Sequence, residues 1–120
     1  MPHIKLEHTE NIKPSKIKPL FKQLRIILME NAGVKEENCK CKSILIPVYA
    51  VGNDCGSKHY YHIEISLLKG RSHELRKKVG QKSIHVLQEW FMKNNEGVIN
   101  QFSVEIREMD PGNYFTSNIL

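Results

Sequence analysis

The sequence predicts an α/β (α+β) fold, a duplicated β-α-β unit whose four strands make one mixed sheet with both helices on one face. Three observations carry this. Two segments hold apolar residues at the three- and four-residue spacing of amphipathic helices, and each is flanked by segments with strand patterning. The second half then follows the first at an offset of about 58 residues when like elements are matched. At 120 residues and 13.9 kDa the chain has the size of one domain, so a single core is expected over residues 1–120.

Pro2–Glu7 places Ile4 and Leu6 on one face and His3, Lys5 and Glu7 on the other, the period-two pattern of a strand. From about Pro14 onward, Ile17, Leu20, Phe21, Leu24, Ile27 and Leu28 form a helical apolar stripe, and Gly33 supplies its end. Pro14 and Pro19 fit only near a helix start, where N–H groups lack acceptors, so the regular helix should begin near Pro19. Lys40–Val51 reads as a second strand. Its run Ile44–Ile46 lacks alternation, as it would with both faces covered, while Pro47 marks an edge or bulge. Gly52–Ser57 is a turn by composition, and His59–Leu68 is β-branched and aromatic enough for a third strand, closed by Gly70. Ser72 is placed to cap a second helix, with Glu74 in its first turn and Leu75, Val79, Val86, Leu87, Trp90 and Phe91 on its apolar face. Asn94–Gly97 breaks that helix. Phe102, Val104 and Ile106 alternate with Ser103, Glu105 and Arg107 in a fourth strand, and Asp110–Asn113 opens a C-terminal tail. One sheet face has no helix to cover it, so with apolar residues on both sides of a strand, association into an oligomer is expected.

Composition narrows the function. Forty per cent hydrophobic and 26% charged residues with a mean hydropathy of -0.43 describe a globular chain, not a disordered one. No apolar run approaches the ~20 residues of a membrane span, and the start lacks a secretory pattern, so a cytoplasmic location is expected. Three cysteines, Cys39, Cys41 and Cys55, form no disulfide framework, and no second cysteine pair stands at zinc-site spacing, so no metal is expected. A net charge of +5 favours an anionic partner. No contiguous basic stripe with stacking aromatics points to nucleic acid. His59 and His62, three apart on a strand, face opposite sides, and His3 and His8 flank the first strand, where they fit hydrogen-bonded structural roles better than the alternative of lining a pocket.

The most informative position is Pro2. A small second residue favours removal of the initiator methionine, which would expose a prolyl secondary amine at the first residue of a strand. An α-amino group has an intrinsic pKa of roughly 8, and burial beside cations lowers it toward neutrality, where it serves as a general base. Arg71, between a strand end and a helix start, is well placed to meet a carboxylate. Lys40 and Lys42 share one face of a strand.

Met1-Pro2-His3, Glu7, Asn11-Ile12, the Gly70-Arg71-Ser72 turn with Glu74, and Val104–Glu108, in this order and spacing, resemble the 5-carboxymethyl-2-hydroxymuconate delta-isomerase family of the tautomerase superfamily. The similarity covers essentially the whole chain, and it implies one tautomerase-like domain over residues 1–120 that assembles as a homotrimer. It also implies active sites between or beside subunits, built on the amino-terminal proline with no metal or organic cofactor. Arg71 matches the family arginine that helps bind and polarise the substrate. Lys40 and Lys42 occupy the stretch where the family has arginines, if one residue is deleted in the loop that follows. Lysine offers a point charge and no bidentate fork, which weakens and de-orients carboxylate recognition. The resemblance therefore implies a cofactor-free isomerase acting on a small anionic dicarboxylate, with Pro2 and Arg71 catalytic and Lys40 and Lys42 binding substrate. A trimeric binding module of the same fold without isomerisation is the alternative.

Overall fold

The computed structural model describes residues 1–53, 58–94 and 100–119. Its elements in chain order are β1 (His3–His8), α1 (Pro14–Ala32), β2 (Lys40–Leu45), β3 (His59–Leu68), α2 (His73–Asn94) and β4 (Asn100–Met109), with short 3-10 turns at Glu36–Asn38 and Pro111–Asn113. The sheet order is β2-β1-β3-β4. β1 runs parallel to β2 and β3 parallel to β4, while β1 and β3 join the two halves antiparallel. The duplicated β-α-β reading therefore holds.

The even-numbered residues of β1 and the odd-numbered residues of β3 point at the helices. Ile4, Leu6, Ile63 and Ile65 are closed off together with Leu20, Leu24 and Leu28 of α1 and Val79 and Leu87 of α2 in one core. Trp90 and Phe91 join it, and Tyr61 stacks on Phe102 beneath them at 5.5 Å. The Tyr61 hydroxyl donates to Glu10 Oε2 at 2.5 Å, so the buried phenol is satisfied.

Four expectations change. α1 starts at Pro14 and carries Pro19 inside it. The Ser15 carbonyl that loses a partner to Pro19 belongs to an exposed residue, open to water, and the next carbonyl, of Lys16, accepts from the Trp90 indole N–H at 2.6 Å. β2 ends at Leu45 rather than Val51, because after the Ile46 N–H donates to the His8 carbonyl at 2.8 Å, Pro47 has no N–H to continue the ladder. β2 is also an edge strand, and Ile44 and Leu45 are 43% and 44% exposed, so both faces are not covered within this chain. Finally, the uncovered sheet face is polar, not apolar. Lys5 lies 3.6 Å from both Glu7 and Glu64, Arg107 reaches Glu64 and Glu105 at 3.7 and 3.3 Å, and His62 Nδ1 meets Ser103 Oγ at 2.6 Å. The turn at Gly52–Ser57 begins as expected with Gly52 in left-handed geometry (φ 61), but its part from 54 to 57, with Cys55, lies outside the described residues, as does most of the break at Asn94–Gly97. Among the described residues no helix is long and apolar enough to cross a membrane.

Candidate active site

Three chain ends converge on Pro2. Lys40 at the start of β2 donates its N–H to the Pro2 carbonyl at 3.1 Å, which fixes the residue before β1. β3 runs antiparallel to β1, so its last residues, Leu67 and Leu68, return beside the beginning of β1. The chain then turns through Gly70, whose φ of 133 excludes most side chains, and Ser72 Oγ accepts the Leu75 N–H at 3.2 Å to cap α2 as the sequence indicates. α1 ends here too, with Gly33 at φ 65. Between these ends lies a cavity of about 280 Å³ lined by Met1, Pro2, Val34, Lys35, Asn38, Leu68 and Arg71, among others.

Arg71 is anchored from two sides. Its guanidinium donates to the Leu68 carbonyl at 3.2 Å and to the Ala32 carbonyl, at the C-terminus of α1, at 3.3 Å. A cation there meets the negative end of the helix dipole, so the side chain has a structural role besides any chemical one. Its fixed position also sets the field at the amino terminus. The α-amino group of Met1 is held below its ordinary value, first by burial and then by the positive charges of Arg71 and Lys40, with Cys39 opposing. With Met1 in place the Pro2 nitrogen is part of a peptide bond, and Pro2 itself is buried.

The structure thus brings Pro2 and Arg71 to one cavity, while Lys40, tied to Pro2 through its N–H, stands opposite His3 on the outer sheet face and is not among the lining residues. Lys42 is one step further along β2, opposite Lys5, on the outer sheet face and away from the cavity. His3 shares that outer face, and its imidazole is held neutral first by burial and then by Lys40, the amino terminus and Lys42. His8 Nδ1 donates to the Glu10 carbonyl at 2.6 Å in the turn after β1, the structural role expected of it. Sequence reasoning missed Lys35, Asn38 and Tyr114. The first two belong to the segment between Gly33 and β2, which has no periodicity to place it; Tyr114 carries its hydroxyl to His3 Nε2 at 2.9 Å from a tail without a pattern. Among the described residues no group of three or more His, Cys, Asp or Glu converges as a metal site requires.

A larger apolar groove, about 470 Å³, runs between α2 and β4 over Ile84, Val104 and Ile106. It lies away from Pro2, with Arg76 and Lys77 among its lining residues.

Comparison with known proteins follows the same lines. A family model described as 5-carboxymethyl-2-hydroxymuconate isomerase matches residues 2–120. No curated protein matches the sequence. Among solved structures, a 5-carboxymethyl-2-hydroxymuconate isomerase from Deinococcus radiodurans R1 is similar at 23% identity and TM-score 0.84, over 98% of this chain and 90% of that one. A 5-carboxymethyl-2-hydroxymuconate delta-isomerase is similar at 12% identity and TM-score 0.70, over 98% and 88%. A fused 4-OT that forms a symmetric trimer is similar at 14% identity and TM-score 0.74, over 98% and 94%. At these identities the likenesses establish the fold, and the family model, spanning all but the first residue, establishes membership. The chain belongs to the 5-carboxymethyl-2-hydroxymuconate isomerase family, and it is an isomerase of the tautomerase superfamily.

Proposed function

We propose that the mature chain, with Met1 removed, moves a proton within an unsaturated 2-hydroxy dicarboxylate to give its 2-oxo isomer, without a cofactor, and that Pro2 is the general base. The carrying observation is the shared cavity of Pro2 and Arg71, where burial and two neighbouring cations depress the amine at the chain start. A free prolyl nitrogen there takes the proton from the 2-hydroxyl; the O–H electrons become the new carbonyl bond and the conjugated double bonds shift. The ammonium so formed then returns the proton to the terminal carbon of the dienol, closing a C–H bond and restoring the neutral amine. Arg71 holds a carboxylate and stabilises the negative charge that gathers on the oxygen. Lys40 serves the second carboxylate as a point charge, with Lys42 in a supporting place beyond it.

The active unit in this reading is a homotrimer. Its support is the exposed apolar surface at two separate edges: Ile44 and Leu45 of β2 with Val48 just beyond it, the last 88% exposed, and the groove between α2 and β4. Trimeric relatives of the same fold agree with it. The test is ketonisation of a 2-hydroxymuconate-type dienol by the mature protein and by a form that keeps Met1. Activity in the first and near-complete loss in the second is the expected result. Equal rates would overturn the base assignment. A binding module without chemistry, favoured by lysines at 40 and 42 and by the two guanidinium N–H groups that Arg71 already commits to carbonyls, would give ligand affinity with no ketonisation above buffer.

A further inference from the structure

β4 ends on the far side of β3 from β1, two strand spacings or about 10 Å away, yet the tail that follows it returns to β1. The Pro111–Asn113 turn makes this possible. Asp110 accepts the Gly112 N–H on Oδ1 at 2.9 Å and the Asn113 N–H on its carbonyl at 2.9 Å, which turns the chain back across the end of the sheet. Tyr114 then meets His3 edge-on, ring centroids 5.9 Å apart, with its hydroxyl 2.9 Å from Nε2. The next residue, Phe115, is 87% exposed, so Tyr114 is where this segment is held to the fold. His3 follows Pro2 directly and lies across the ladder from Lys40, with its side chain on the outer sheet face rather than among the residues that line the Pro2 cavity. Burial first, and then the positive charge of Lys40, of the amino terminus when protonated and of Lys42, favour the uncharged imidazole.

A neutral imidazole has one N–H and one lone pair, and its second hydrogen bond decides which nitrogen carries which. The Tyr114 contact is open to either direction; with the hydroxyl donating to Nε2, the imidazole proton sits on Nδ1. From this contact we propose that Tyr114 is a positioning residue for substrate recognition: by holding His3 beside Lys40 in the Nδ1–H form, it completes a subsite for the carboxylate lying farther from Pro2. This rests on the isomerase reading given above. It adds a recognition element from the C-terminal tail that makes good, in part, the fork which lysine lacks.

The experiment compares mature wild type, Tyr114→Phe, His3→Ala and the double variant on a dianionic dienol (2-hydroxymuconate) and a monoanionic enol (phenylenolpyruvate). Tyr114→Phe should raise KM for the dianion about five- to tenfold, the effect of one ordinary hydrogen bond, and lower the dianion-to-monoanion ratio of kcat/KM by the same factor. His3→Ala should match it, and the double variant should be no worse than His3→Ala, since Tyr114 acts through His3. An unchanged ratio, or additive losses in the double variant, would overturn the proposal. Should wild type turn over neither substrate, the isomerase reading fails by itself, and the subsite is judged by binding. The His3 ring signals followed by NMR with added cis,cis-muconate should then half-saturate at about five- to tenfold lower concentration in wild type than in Tyr114→Phe, and equal midpoints would refute it.

Discussion

Replacing Arg71 with alanine separates the two roles its position gives it. The guanidinium makes two hydrogen bonds to the carbonyls of Leu68 and Ala32, at 3.2 and 3.3 Å, and stands at the C-terminus of α1. Bonds from a partly exposed charged donor contribute about 1 kcal/mol each, the dipole contribution overlaps with the second, and the sum is about 2 kcal/mol. For a chain of this length that lowers Tm by about 8 °C, which leaves the protein folded at room temperature. Activity should fall further. Losing the cation that meets the developing oxyanion costs about 3 to 4 kcal/mol, two to three orders of magnitude in kcat/KM on a dienol dicarboxylate. Without Arg71 the amine at the chain start also loses one of the two cations that depress it, so the rising limb of the pH profile should move to higher pH. The assay pairs thermal unfolding with the ultraviolet change on ketonisation from pH 5 to 9. A variant that loses stability but keeps kcat/KM within threefold and the wild-type limb would show Arg71 to be a helix clamp alone, and the catalytic assignment would fall.

Four further outcomes can be checked. In the mature protein kcat/KM should rise with pH as the depressed amine loses its proton, at lower pH than for an ordinary α-amino group; because the folded chain holds that proton less tightly than the unfolded one, stability should also rise with pH across the same window. Pro2→Ala keeps a primary amine in place and should retain part of the rate, whereas a retained Met1 should abolish nearly all of it. Ser83 is fully buried in α2 with no hydrogen-bond partner for its hydroxyl, so Ser83→Ala should stabilise by about 1 kcal/mol, read in urea unfolding, and a loss of stability would mean the hydroxyl is satisfied. Light scattering at micromolar concentration should report three chains, and a monomer would count against the trimeric site.

The fold was legible because its signals are local and periodic. The stripe from Ile17 to Leu28, the alternation in β3 and β4 and the Ser72 cap each declare an element without reference to the rest, and their order constrains the topology. Pro19 misled because a helix tolerates proline where the orphaned carbonyl reaches water, and exposure is not written in the residue. Ile44–Ile46 misled likewise: an unalternating apolar run suits a central strand or an edge awaiting a neighbour.

For the site, Pro2 and Arg71 stood out by chemistry and resemblance, yet 69 positions separate them in the chain. Only the antiparallel return of β3 along β1 puts both on one cavity, and only there do Arg71 and Lys40 act on the amino terminus. Charge follows the same rule. Eighteen basic residues look evenly scattered in sequence, but α1 and α2 together carry nine of them against three acidic ones, while on the outer sheet face Lys5 pairs with Glu64 and Arg107 with Glu105. The sequence by itself determined the elements, their order, the family and the two chemically telling residues, since periodicity and motif depend on near neighbours. Tertiary structure alone decided which strand β2 lies beside, that Lys42 stands off from the cavity, and that Tyr114 meets His3, because these depend on which distant segments pair, and pairing is set by the whole core at once.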